Sequence, residues 1–168
     1  MRRWRENVSV LPPLTAAEAI SAVPGFWPFY QRTETMHEGK DRRKGGRDIK
    51  GIQVGPGEIS VSADEVQFVA VVGRNVAVCL WDRAGGVAGM NHFVKPAIYE
   101  PDKATCRYGN VATVTLIDII RRRCPEADLE AYVFGGGVCE AADTIGEENV
   151  AMAKRVLRAR NIPVATED

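Results

Sequence analysis

The sequence predicts an α+β fold, a mixed sandwich with a β-rich core and two main helices packed on it. Three observations carry that expectation. Val66–Trp81 is a long stretch rich in β-branched and aromatic residues, interrupted only at Gly73. Residues 110–123 and 145–160 repeat apolar side chains at helical spacing. Strand patterns come first along the chain, and helices then alternate with strands, the order expected when helices cover a largely β core.

The elements follow in order. Thr15-Ala-Ala-Glu18 is a capping-box pattern that opens a short helix over 16–22, stopped by Pro24. Gly25-Phe-Trp-Pro-Phe-Tyr30 is aromatic and suited to docking on a core or a partner. A polar run from Glu38 to Lys50 holds Lys40, Arg42, Arg43, Lys44, Arg47 and Lys50. It reads as a solvated linker, or alternatively as a docking arm for an acidic partner. Residues 1–50 are therefore expected to be an N-terminal extension, and 51–168 one domain.

Within that domain Ile52-Gln-Val54 is a strand followed by a Gly-Pro-Gly turn, and Ile59–Ser62 alternates with period two. Gly73 predicts a bulge or sharp bend within the long β stretch. Asp82–Gly86 is a turn, Gly89–Val94 a strand ended by Pro96, and Ala97–Arg107 a polar loop. A helix over Asn110–Arg123 places Val114, Ile117 and Ile120 on one face and basic residues in its last turn. Leu129–Phe134 is a strand running into Gly135-Gly-Gly137. No Lys-Ser/Thr or GxGxxG pattern accompanies those glycines, so they predict a tight turn and not a phosphate cradle. Thr144-Ile-Gly-Glu147 is a second capping box, opening a helix to about Arg160 with Val150, Ala153 and Leu157 as its buried stripe. Asn161 suits a left-handed cap, and Ile162–Thr166 begins a final strand.

Composition excludes several functions. The 22 basic residues of the 168 are balanced by 22 acidic ones, which gives no overall pull toward nucleic acid. No apolar run approaches the roughly 18 residues of a membrane span, and no secretory signal is visible. Cys79, Cys106, Cys124 and Cys139 form no CxxC pair, so no metal site and no cofactor are expected. Reduced thiols and a cytoplasmic location are the expectation. His37 and His92 are the two histidines.

Ordered blocks, among them Ile52-Gln-Val-Gly-Pro-Gly-Glu58, Gly89-Met-Asn-His-Phe-Val-Lys-Pro96 and Arg107-Tyr-Gly-Asn110, together resemble the CheD family of chemoreceptor glutamine deamidases. The first looks like that family's opening strand and turn. Gly73-Arg-Asn-Val-Ala-Val-Cys-Leu-Trp-Asp82 aligns with its Gly-Ser-Cys-Val-Ala-Val-Cys stretch and the aspartate that follows. Gly89-Met-Asn-His-Phe-Val-Lys-Pro96 matches Gly-Met-Asn-His-Phe-Met-Leu-Pro, and Arg107-Tyr-Gly-Asn110 matches Arg-Tyr-Gly-Asp. Phe134-Gly-Gly-Gly137 resembles Phe-Gly-Gly-Ala, and Ile145-Gly-Glu-Glu-Asn149 resembles Ile-Gly-X-Arg-Asn. Ile162-Pro-Val with Glu167-Asp168 resembles the strand before the family's C-terminal Gly-Gly segment, beyond which the family continues and this sequence does not. The blocks cover Ile52 to Asp168.

The resemblance implies a cytoplasmic protein that acts on glutamine side chains of methyl-accepting chemotaxis receptors and engages a CheC-like phosphatase. It implies that His92 occupies the catalytic histidine position and that Asn75 stands where the family has its nucleophilic cysteine. Arg74 replaces the preceding serine, and Val69 stands at a threonine position. Asn91, Arg107 and Tyr108 are implied to line the substrate cleft. Amide hydrolysis by this route needs a thiolate, a base and oxyanion stabilisation. An asparagine amide is a very poor nucleophile. Arg74 fills space beside the cleft and favours a carboxylate over a neutral amide. Three readings stay open at this point: a member with degenerate catalysis that acts by binding, an active deamidase using a displaced thiol such as Cys79 or Cys139, and a non-enzymatic interaction module working through the N-terminal arm.

Overall fold

The computed structural model describes residues 49–137 and 144–167. The expected helix over 16–22, the aromatic segment, most of the basic run and Cys139 lie outside the described residues.

Seven strands and two helices form the domain. The strands are β1 (Lys50–Gln53), β2 (Ile59–Ser62), β3 (Val66–Val69), β4 (Val76–Asp82), β5 (Ala88–Phe93), β6 (Leu129–Gly135) and β7 (Val164–Glu167). The helices are α1 (Gly109–Arg123) and α2 (Ile145–Ala159). Five strands form one sheet in the order β2-β5-β4-β6-β7, antiparallel except for the parallel pair β6–β7 that α2 connects. β1 and β3 form a separate two-stranded parallel sheet. The expected α+β sandwich is what the chain adopts.

Period two on β4 decides how the layers pack. Val76, Val78 and Leu80 point to the helices and join Phe93, Leu116, Ile117, Ile120, Ala153 and Leu157 in the larger core. Ala77 and Cys79 point the other way and join Val54, Met90, Ile52 and Phe68 under the small sheet. β4 is thus covered on both faces, and six of its seven residues are buried or half-buried.

One expectation is sharpened and two need correction. The bend expected at Gly73 within Val66–Trp81 is present: the chain leaves β3 at Val69, bends through 73–75, and enters the other sheet as β4. The Gly73 bend is a crossing between sheets. The buried stripe of α1 is also shifted, to Gly109, Ala112, Thr113, Leu116, Ile117 and Ile120, with Val114 half-buried. That i, i+3, i+4, i+7 series is the one that lays the helix flat on the sheet. At α2 the Thr144 hydroxyl bonds the Glu148 carboxylate at 2.7 Å and makes no bond to the helix backbone, so the expected capping box does not form. Asn161 does adopt the left-handed conformation, at φ 55°.

The turn after β4 is held by Asp82, which is 2% exposed. Its carboxylate accepts backbone N–H groups from Ala84 (3.2 Å), Gly86 (3.2 Å) and Asp128 (3.0 Å). The loop over 97–107 contains a single 3-10 turn at Pro101–Lys103.

Candidate active site

His92 lies on β5, directly opposite Ala77 of β4, which in turn faces Phe134 of β6. The small Ala77 side chain separates the two rings across the sheet. The sequence suggests a half-buried position, but the small sheet closes over this face and leaves His92 only 1% exposed.

Backbone groups fix the imidazole. Nδ1 is 3.1 Å from the Val54 carbonyl, and a carbonyl can only accept, so the neutral ring carries its proton on Nδ1. Nε2 is left as a lone pair, buried and without a hydrogen-bond partner. The Val54 N–H donates to the Val69 carbonyl at 2.8 Å. The His92 N–H donates to Glu58 at 3.1 Å, and its carbonyl accepts from Gly57 at 2.6 Å. A histidine held this way is the arrangement a general base needs: one nitrogen oriented, the other free.

Asn75 is half-buried and immediately precedes β4, two residues before the partner of His92. The Asn75 carbonyl accepts from Gly136 at 3.0 Å, and the Gly73 carbonyl accepts from Gly137 at 2.9 Å. The triple-glycine turn is therefore tight because it must lie against residues 73–75. Gly135 has φ 95°, and a Cβ there would sit 2.2 Å from the Asn75 carbonyl oxygen.

The remaining predicted residues divide between the two faces. Val69 ends β3, 44% exposed, and reaches the histidine only through the Val54 backbone. Arg74 is exposed, and its carbonyl accepts from Asn149. Arg107 is exposed, with its stem against Gly57, the residue that bonds the His92 carbonyl. Asn91 turns to the helix face. There its Oδ1 accepts from the Val78 N–H at 3.1 Å and its amide lies 3.4 Å from the Thr113 hydroxyl. Tyr108 precedes α1, with the Lys95 ammonium 5.7 Å from its ring centre. The structure links Val69 and Arg107 to His92 through the backbone of Val54 and Gly57, places Asn75 just before the strand that pairs with β5, and commits Asn91 to packing on the other face.

Cys79 shares the His92 face, facing Met90 on one side and Tyr132 on the other. Burial pushes its thiol up to about 11. Cys106 is likewise pushed to about 11 by burial, against a smaller opposing effect from a bond with Thr115. Both are neutral thiols near pH 7. Among the described residues no group of three or more His, Cys, Asp or Glu could hold a metal ion. Nor is any described helix long and apolar enough to cross a membrane.

Two residues of the site escape sequence reasoning. Val54 acts through its carbonyl, which leaves no mark in a side-chain pattern. Asn149 does leave one: it sits at i−4 and i−8 from Ala153 and Leu157, a polar residue on a buried stripe.

Comparison with known proteins places these features in context. The family model described as CheD chemotactic sensory transduction matches residues 95–168. A probable chemoreceptor glutamine deamidase CheD 1 of Anaeromyxobacter dehalogenans is 38% identical over 129 residues, covering 74% of this chain and 75% of the relative. A probable chemoreceptor glutamine deamidase CheD of Thiobacillus denitrificans is 38% identical over 129 residues, covering 72% of this chain and 64% of the relative. The similarly named protein of Methylobacillus flagellatus is 35% identical over 122 residues, covering 67% and 60%. The chain spans less than two thirds of the length of these last two.

Proposed function

The chain belongs to the CheD family, and we propose that it is a chemotaxis protein that binds the glutamine-bearing segments of methyl-accepting receptors without hydrolysing them. One observation carries this reading: a buried histidine with its Nε2 lone pair free stands beside a position filled by Asn75. The free Nε2 supports reading His92 as a base, and Asn75 offers no group for it to activate.

Deamidation by a thiol would proceed in two steps. The thiolate attacks the carboxamide carbon, ammonia leaves with a proton supplied by the histidine, and water then opens the thioester to give glutamate. The Asn75 carboxamide cannot begin that sequence. Its own nitrogen is delocalised into the carbonyl, and no base of ordinary strength deprotonates it. Arg74 adds a cation beside the slot, which favours carboxylate over amide among the bound side chains. Methyl-accepting receptors are the proposed partners, with a CheC-like phosphatase as a second one.

The displaced-thiol reading has one supporting observation, the place of Cys79 on the histidine face. Its burial works against it, because a thiol held near 11 supplies almost no thiolate at neutral pH.

The test incubates the full chain with receptor cytoplasmic fragments and follows glutamine-to-glutamate conversion by peptide mass spectrometry, with binding measured in parallel. Binding without conversion is expected. Conversion that disappears in His92→Gln overturns the proposal. The double substitution Asn75→Cys with Arg74→Ser should then confer conversion on the same pocket.

A further inference from the structure

The strand ends that form the site lie beyond the sheet ladder. β4 begins at Val76 and β5 ends at Phe93, so neither residues 74–75 nor Val94 is fixed by regular pairing between these two strands. A side chain from α2 joins them. The Asn149 amide nitrogen donates to the Arg74 carbonyl at 3.0 Å and to the Val94 carbonyl at 3.3 Å. Arg74 adjoins Asn75, and Val94 is two residues past His92. One amide nitrogen therefore ties the arm carrying the nucleophile slot to the arm carrying the base.

The same residue is costly where it stands. Asn149 is fully buried, and its Oδ1 has no hydrogen-bond partner. Among the described residues, Oδ1 of Asn149 and Nε2 of His92 are the two buried side-chain polar atoms left unpaired. An unpaired buried acceptor opposes folding. An apolar residue would continue the Ala153–Leu157 stripe with no such cost. The start of α2 is also seated closely. A Cβ on Gly146 would lie 2.5 Å from the Gly136 carbonyl and 2.7 Å from that of Gly137, the glycines that bond residues 73–75.

We infer that Asn149 is a positioning residue, a clasp that sets the separation of position 75 from His92. The inference rests on the reading of His92 as the site's base. It goes beyond that reading in assigning the geometry of the pair to a helix that contributes no reacting atom.

The experiment uses the full chain carrying Asn75→Cys and Arg74→Ser. The rate of iodoacetamide labelling of the introduced thiol is followed from pH 5 to 9 by peptide mass spectrometry, within limits set by folding checks. Four backgrounds are compared: Asn149 unchanged, Asn149→Leu, Asn149→Ser, and His92→Gln. A thiol paired with His92 should titrate at least one unit below the ordinary value of about 8.5, and so label roughly ten-fold faster at pH 7. With the clasp in place this enhancement is expected and should vanish in His92→Gln. It should be lost in Asn149→Leu and partly kept in Asn149→Ser, which retains one donor and stays informative if the leucine variant does not fold. An enhancement that survives undiminished in both Asn149 variants overturns the clasp and leaves the reading of His92 standing. No enhancement even with Asn149 unchanged overturns the reading of His92 and the clasp with it.

Discussion

Replacing Gly135 by alanine tests whether the end of β6 truly rests on the backbone at Asn75. A Cβ at that position lies 2.2 Å from the Asn75 carbonyl oxygen and 3.0 Å from Val72 Cβ. Carbon–oxygen contacts settle near about 3.3–3.6 Å, so the two chains must part by about 1 Å. That movement weakens the Gly136–Asn75 and Gly137–Gly73 hydrogen bonds, each worth about 0.5–1.5 kcal/mol. The backbone adds strain, because φ is 95° and an L-residue in left-handed space costs about 1–2 kcal/mol. The total is about 2–5 kcal/mol, a fall in Tm of roughly 6–15 °C for a domain of this size. Gly85 provides the control. It has φ 82°, but nothing lies within 4 Å of its would-be Cβ, so Gly85→Ala carries the strain alone and should cost about 1–2 kcal/mol. Urea unfolding of both variants, read as a change in midpoint at constant slope, gives the difference directly. Equal losses for the two alanines would refute the close approach of Gly135 to Asn75.

Other expectations follow from the same geometry. His92→Leu removes a buried lone pair without a partner and also removes the donor to Val54, two effects of about 1–3 kcal/mol and opposite sign. Its stability by urea unfolding should therefore stay within about 1 kcal/mol of the parent, whereas a large loss would mark His92 as a structural residue. Asp82→Ala removes three backbone hydrogen bonds to a buried carboxylate and should cost about 3 kcal/mol in the same assay. Cys79 and Cys106 should resist iodoacetamide at pH 8, and labelling of the folded protein should rise only as pH approaches their raised values near 11. Those raised values also fix the sign of a stability change. The unfolded thiols ionise near 9.0 and the folded ones near 11, so the contribution is complete below pH 9 and is lost as pH climbs to 11. Melting temperatures that stay flat from pH 8.5 to 11 would contradict it.

Much of the fold was legible because strand and helix periods differ. β2, β5, β6 and both helices stand within one or two residues of where pattern places them. In the long run Val66–Trp81, pattern places the bend at Gly73 but not the change of sheet, because composition on both sides is equally suited to strands. Only pairing partners tell that Val66–Val69 belongs beside β1 and Val76–Asp82 between β5 and β6. The α1 stripe slipped because Ala112 and Thr113 are weakly apolar, yet small size is what lets a helix lie close to a sheet. At the site, the resemblance in ordered blocks points to His92 and Asn75, and also to Asn91. Alternation sends neighbours on a strand to opposite faces, so Asn91 faces the helices while His92 faces the small sheet. Val54 and Asn149 are not legible for different reasons: one contributes a backbone atom, and the other acts through a contact between distant segments.

The hydrogen bond from His92 to Val54 gives β1 a lever over proton position. Val54 follows a four-residue strand whose pairing in the small sheet is with β3. A one-residue slip of that pair would carry the accepting carbonyl about 3.3 Å away. The imidazole would then lose the acceptor that holds its proton on Nδ1. The register of the small sheet thus sets which nitrogen of a buried ring carries the proton.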